Sequence, residues 1–220
     1  MRVICIGDVH GNTLNYQRAL LLRKFQGQRT FQLGDMGLGF RGVPGLQEQY
    51  MSKGDHKFIR GNHDNPAECK LYPWYAGDYG YDETDGIFWL GGAFSIDYMG
   101  RIPGKSWWED EELSYTELSK AIDLYIEKKP KYVLSHEAPA RISEYLLTVV
   151  LPGFRGYKLD CMASRTAGAL QEMLDTHRPV EWVFGHYHVN QSFEWRGTKF
   201  TCVNELCSYV LTDEPLIVEA

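Results

Sequence analysis

The chain has 220 residues, of which 44% are hydrophobic and 24% charged, with a formal charge of -6. That balance belongs to a globular protein and excludes one whose main task is to coat nucleic acid or lie on an anionic membrane. A nucleotide held by a local patch or by metal stays open. No apolar run approaches the roughly 20 residues of a membrane span. The N-terminus MRVICIGDVH starts directly on a strand-like run, so no signal peptide is expected. Five cysteines (Cys5, Cys69, Cys161, Cys202, Cys207) are scattered and form no CxxC pair, which predicts free thiols in a reducing cytosol. No repeat or Ser/Pro-rich linker divides the chain, so a single domain over 1–220 is expected.

Arg2 to Gly7 is short, apolar and β-branched and runs into Gly7–Asp8. Leu14 to Lys24 carries helical spacing, with Asn12 or Thr13 as the N-cap. Thr30 to Leu33 reads as a strand ending in Gly-Asp, and Lys57 to Arg60 as another ending in Gly-Asn. Strand–helix–strand alternation is the α/β pattern, and ligands of such sheets sit outside the carboxyl ends of the strands. Phe88 to Ile96 reads as a strand interrupted by Gly91–Gly92. Glu111 to Glu127 reads as a helix with Leu113, Leu118, Ile122 and Ile126 on one face, its opening acids suiting the dipole. Lys131 to Leu134 leads into Ser135–His136, Ala163 to Leu174 is a helix, and Val180 to Phe184 leads into Gly185–His186. Gln191 to Trp195 and Thr198 to Val203 form a hairpin through Arg196–Gly197. Early α/β alternation followed by antiparallel pairing predicts two packed sheets with helices outside. The irregular stretch from Glu137 to Met162 is either a lid or a surface excursion.

Each of the exits into Gly-Asp, Gly-Asn, Ser-His and Gly-His is followed by an oxygen or imidazole donor. They are Asp8 and His10 in GDVHGN, Asp35 in GDMG, Asn62 and His63 in RGNHD, His136 in SHEAP, and His186 and His188 in GHYH. Asp, Asn and His together suit borderline divalent metals. Asp8 and His10 are two residues apart, so in an extended exit they point the same way, and His186 and His188 repeat that spacing.

These blocks, in this order from Asp8 to His188, resemble the calcineurin-like metallophosphoesterase superfamily, whose pattern runs Asp-x-His, Gly-Asp, Gly-Asn-His-Asp/Glu, His, Gly-His-x-His. The resemblance implies an α/β fold, a four-layer α/β/β/α sandwich of two mixed β-sheets, with a dinuclear metal site at strand C-terminal ends. It implies that Asp8, His10, Asp35 and His188 hold a first divalent ion, that Asp35 bridges, and that Asn62, His136 and His186 hold a second. Mn²⁺ leads the candidates, ahead of Fe, Zn, Ni or Mg. Two cations about 3.5–4 Å apart would clamp a phosphoryl group and lower the pKa of a bound water, and the hydroxide so formed would attack phosphorus in line. By the same resemblance His63 stabilises the transition state or protonates the leaving group. Asp64 either orients the His63 ring and keeps it protonated, or caps the loop before Pro66.

The activity implied is hydrolysis of a phosphate ester, with a nucleotide or a nucleic-acid end as substrate, and as diester or monoester. The alternatives are a serine/threonine-type protein phosphatase and a non-catalytic scaffold. The GDVHG block and Arg60 resemble the protein phosphatases, but the second block, GDMGLGFRG, lacks their Asp-Arg, for which Arg41 is the nearby substitute. SHEAP and GHYH look more like the phosphodiesterase and nuclease branches. The intact ligand positions argue against a scaffold. GGAFSIDYMGRIPGKSWWEDEELS resembles a segment of bacterial and phage metallophosphoesterases. Within it Arg101 is a phosphate-donor candidate beside Arg60 and Arg41. Trp107 and Trp108 either stack a base or pack under a sheet edge. Tyr187 is expected to point away from the metals, and His56 and His177 to be structural or surface residues. No membrane and no obligate protein partner is indicated.

Overall fold

Alternation along the first strand sets the layering. In β1 (Arg2–Ile6), Val3 and Cys5 face one side and Ile4 and Ile6 the other, and all four are buried. A sheet whose two faces are both apolar must be covered twice, and it is. The computed structural model describes residues 1–22, 25, 27–150 and 164–213. In it, β1 is followed by α1 (Thr13–Leu20), β2 (Arg29–Gln32), α2 (Glu48–Met51), β3 (Asp55–Phe58), α3 (Pro66–Cys69), β4 (Tyr79–Asp82) and β5 (Ile87–Leu90). The second half adds α4 (Tyr115–Lys128), β6 (Tyr132–Ser135), α5 (Ala140–Tyr145), α6 (Arg165–Thr176), β7 (Glu181–Phe184), β8 (Gln191–Trp195), β9 (Thr198–Cys202) and β10 (Ser208–Thr212).

The strands form two mixed sheets, ordered β10-β1-β2-β3 and β4-β5-β6-β7-β9-β8. β1, β2 and β3 run parallel, as do β5, β6, β7 and β9; β10, β4 and β8 pair antiparallel at the edges. Three apolar layers result. Val3, Cys5, Phe31 and Leu33 meet Tyr132, Leu134, Val183 and Val203 between the sheets. Ile4, Ile6 and Phe58 pack with Tyr16, Leu20 and Met51 under α1 and α2. Phe88, Val133, Trp182 and Phe200 pack with Leu118, Tyr125, Leu170 and Met173 under α4 and α6. The expected pair of mixed sheets flanked by helices is present.

Several local expectations are corrected. α4 begins at Tyr115 rather than Glu111, because Ser114 forms a reciprocal capping box with Glu117. The face it buries is Leu118, Ala121 and Tyr125, while Ile126 is exposed. Tyr125 claims that face because its ring packs on Trp182 and its hydroxyl donates to the His177 carbonyl at 2.8 Å. Glu111 and Glu112 serve other elements: Glu112 accepts from the Thr166 amide at the start of α6, and Glu111 from Ser95. The strand expected over Phe88 to Ile96 ends at Leu90, before Gly91. The stretch expected to be irregular from Glu137 contains α5 and a wide helical turn over Leu146–Val150. The rest of that stretch, with Cys161 and the start expected for α6 at Ala163, lies outside the described residues, as does Lys24.

Candidate metal centre

The parallel strands of both sheets end on one edge, and the donors lie just beyond those ends: Asp8 after β1, Asp35 after β2, Asn62 after β3, His136 after β6, and His186 and His188 after β7. Among the described residues their donor atoms form two clusters within 4.8 Å: Asp8, His10, Asp35 and His188, and Asp35, His136 and His186. Asp35 belongs to both. Asn62 joins the second cluster, its Oδ1 lying 3.2 Å from His136 Nε2. All seven residues named from the sequence are therefore brought together.

The expected geometric reason for the His-x-His and Asp-x-His spacing is corrected. These exits are not extended. His10, Asp35, His186 and His188 all have left-handed backbone, with φ of 47°, 56°, 67° and 50°. Such φ values are uncommon outside glycine and concentrate at functional sites. The turns send His186 and His188 to different clusters. Close approach demands glycine beside them. A Cβ at Gly61 would stand 2.1 Å from Asp35 Oδ1, and one at Gly185 would stand 2.4 Å from Asp8 Oδ1.

The donor set fits divalent cations. Asp8 Oδ2 is buried and lacks a well-formed hydrogen bond among the described residues, with His188 Nε2 3.0 Å and His10 Nε2 3.6 Å away. His10 Nε2 and His188 Nε2 face each other at 2.8 Å, an approach at which two lone pairs repel unless a proton or cation lies between them. His136 donates Nδ1–H to the Leu33 carbonyl at 2.8 Å, which leaves Nε2 as a ligand atom. The field is strongly negative. Burial pushes Asp8 up, but its contacts with His10 and His188 outweigh this and bring it down to about 2. Burial disfavours charge on His136, yet Asp35 and Asp8 raise it to about 10.

Around this core lie groups not singled out from sequence. Ser95 accepts from Asn62 Nδ2 at 3.1 Å and donates to Glu111 Oε2 at 2.6 Å, so a buried chain orients the Asn62 amide. Glu137 Oε2 is 3.7 Å from His186 Nε2 while its Oε1 accepts from the Tyr187 hydroxyl at 2.5 Å. Tyr187 is thus turned into packing, as expected. Glu137 sits beside His136 in SHEAP, which is the one sequence signal that marks it; Ser95 and Glu111 carry none. His56 is buried against Thr30, and His177 closes α6 with Nε2 2.9 Å from the Pro130 carbonyl, both structural as expected.

Beside the clusters is a cavity of about 220 Å³ lined by Asp35, Asn62, His63, Phe94, Ile96, Asp97, Arg101, His186 and His188. Arg101 Nη2 lies 2.7 Å from His63 Nε2, which must accept, so His63 is neutral there. Burial and the charge of Arg101 hold His63 down to about 4 against the pull of Asp35. Two expectations change here. Asp64 makes no hydrogen bond to the His63 ring among the described residues: its carboxylate accepts from the amides of Met36, Gly37, Leu38 and Gly61 and ties two ligand loops together. Burial and Asp35 lift Asp64 to about 7 despite those amides. Arg60 is not free for substrate: it is buried, with Nε on Asp78 at 2.5 Å and Nη1 on the Asp110 and Glu111 carbonyls. Arg41 is exposed next to Phe40, whose ring stacks on His63. Trp108 packs on Phe40 and Trp107 on Tyr98, so both are committed to packing.

The model of the calcineurin-like phosphoesterase family matches residues 1–190, and the chain belongs to that family. It is a metal-dependent phosphoesterase, a hydrolase. No curated protein matches it. Among solved structures it is similar to the "Putative 5'-Nucleotidase" of Staphylococcus aureus, at 11% identity and a TM-score of 0.56 over 97% of this chain and 51% of that one. The chain thus spans about half of that protein. It is also similar to the phosphopantetheinyl hydrolase of Mycobacterium tuberculosis, at 11% identity and a TM-score of 0.51 over 99% and 98%. A third, a conserved uncharacterized protein of Streptococcus pneumoniae TIGR4, has 12% identity and a TM-score of 0.42 over 94% and 74%. At such identities the first two likenesses show the fold alone. No helix among the described residues is long and apolar enough to cross a membrane.

Proposed function

We propose that the chain, acting as one domain over 1–220, hydrolyses a nucleotide or nucleic-acid-derived phosphate ester with two divalent ions, Mn²⁺ foremost. Asp8, His10, Asp35 and His188 would hold one ion, and Asn62, His136 and His186 the other, with Asp35 shared. The observation that carries this reading is the membership of Asp35 in both clusters, directly beside the cavity that holds His63 and Arg101. When bound, the ions would polarise the phosphoryl oxygens and supply the nucleophile from water.

The chain's own residues do the rest. Arg101 presents a buried Nη1 without a hydrogen-bond partner among the described residues, a ready donor to a non-bridging phosphate oxygen. Once substrate draws Arg101 off, His63 Nε2 is left facing the ester oxygens, where it donates to the leaving group if protonated. Asp64 keeps the Asp35 and Asn62 loops in register through its four amide contacts. The commitment of Arg60 to Asp78 removes one support for the protein-phosphatase alternative. Free cysteines at Cys5, Cys69, Cys202 and Cys207 suit a reducing cytosol.

The test is turnover of p-nitrophenyl phosphate, bis-p-nitrophenyl phosphate, cyclic nucleotides and a phosphopeptide with Mn²⁺, Ni²⁺ and Mg²⁺. Hydrolysis of nucleotide or diester that falls at least 100-fold in His63→Asn supports the reading. A preference for phosphopeptide over every nucleotide and diester overturns it.

A further inference from the structure

Arg101 does not stand alone at the cavity mouth. Its Nη2, which contacts His63, is also 2.7 Å from Asp97 Oδ1. Asp97 lines the same cavity, and Arg101 is the only Lys or Arg among the lining residues. One cationic side chain is therefore already part-neutralised by a carboxylate that a bound phosphate must approach. The wall next to it is apolar. Phe94 and Ile96 line the cavity, and Ile96 leaves 46% of its surface exposed. Surface apolar side chains that cluster beside a reactive cavity mark a place for an apolar group.

Phosphate esters differ in the two properties this mouth reads. A monoester has a second pKa near 6 and carries about two negative charges at neutral pH. A diester carries one charge and a second organic group. The cations of the metal centre would attract the dianion more strongly, and the protein side sets how far that advantage is offset. There the extra charge of a monoester meets Asp97, and the extra group of a diester meets Ile96 and its neighbours.

We infer that Asp97 with Phe94 and Ile96 biases this site toward monoanionic phosphodiesters with an apolar or aromatic ester group and against dianionic phosphomonoesters. The inference rests on the phosphoesterase site proposed above and narrows its substrate class. The reaction adds one water across one P–O bond of the diester, releasing an alcohol and leaving a monoester. That product carries the second charge which Asp97 repels, so the same residue favours its departure.

Two measurements test this. The first is calorimetric titration of Mn²⁺-loaded protein with diphenyl phosphate and with phenyl phosphate at pH 7.5. Asp97→Asn is expected to shift the ratio of the two affinities toward phenyl phosphate by roughly threefold to tenfold, the size of one partly screened charge. A ratio unmoved by Asp97→Asn overturns the inference. The second is the ratio of kcat/KM for bis-p-nitrophenyl phosphate to that for p-nitrophenyl phosphate. It is expected to fall in Asp97→Asn mainly through a lower KM for the monoester, and a ratio that does not fall overturns the inference. Absence of turnover on both compounds fails the catalytic reading, while the binding preference still decides the role of Asp97.

Discussion

Gly61 lies so close to Asp35 that a methyl group on its Cα would stand 2.1 Å from Asp35 Oδ1, and 2.6 Å from His136 Nε2. The backbone after β3 is thus pressed against the carboxylate common to both clusters. Gly61→Ala is expected to displace Asp35 and lower Mn²⁺ stoichiometry or affinity at least tenfold by calorimetry. Gly168→Ala is the matched control. Among the described residues nothing lies within 4 Å of its added methyl, and it sits inside α6. It is expected to leave metal binding unchanged and to stabilise the fold by about 0.5–1 kcal/mol in denaturant unfolding.

Ser95 is the middle of a buried chain from Glu111 to Asn62. Ser95→Ala removes the acceptor of the Asn62 amide, while Glu111 keeps the residue 95 backbone N–H on its Oε1. A loss of about tenfold in Mn²⁺ affinity is expected, in line with groups that orient ligands from outside the coordination shell. Unchanged affinity in a variant with wild-type unfolding midpoint would show that Asn62 needs no such support.

Asp64→Asn tests a structural role against a catalytic one. An amide in place of this carboxylate turns one acceptor into a donor facing backbone N–H groups at 2.8 to 3.1 Å. The expected result is a loss of about 1–3 kcal/mol in denaturant unfolding of the metal-free protein. Full stability with a shifted pH–rate profile would instead point to direct action on His63.

His56 carries a pH dependence far from the metal centre. It is buried with Nδ1 2.8 Å from Thr30 Oγ1, and burial lowers its pKa despite the charge of Asp55. The unfolded chain therefore takes up this proton first as pH falls. The stability that neutral His56 contributes is full above about 6.5, the unfolded value, and is lost as pH falls from there through the depressed folded value. His56→Gln is expected to flatten the stability curve below about pH 6.5 in urea titrations of metal-free protein. An identical slope in the variant would remove His56 from the account.

The strand exits were legible because each pairs a β-branched or apolar run with a turn-forming residue and a metal-donor type. β4 was not: its YGYD has no alternating apolar face, and Gly80 is there because Trp89 of β5 packs over it, 2.3 Å from where a Cβ would be. β10 was missed for a related reason, since its pairing with β1 closes a contact between the two ends of the chain that no local pattern announces. At the site, donor identity was legible and support was not. Glu111 reads as a helix-opening acid, and only the fold brings it to Ser95. Arg60 reads as a phosphate donor until its burial against Asp78 is known.

The left-handed turns at His10, Asp35, His186 and His188 also bear on how the centre could be altered. Asp, Asn and His visit that conformation several-fold more readily than other side chains, whereas β-branched and bulky residues avoid it. The backbone therefore filters the alphabet before coordination chemistry does. Glutamate supplies the same oxygens as aspartate but gains none of this tolerance. Attempts to retune the ion by exchanging donors have their freest choice at Asp8, Asn62 and His136, where no such turn is imposed, and a narrow one at the four turned positions.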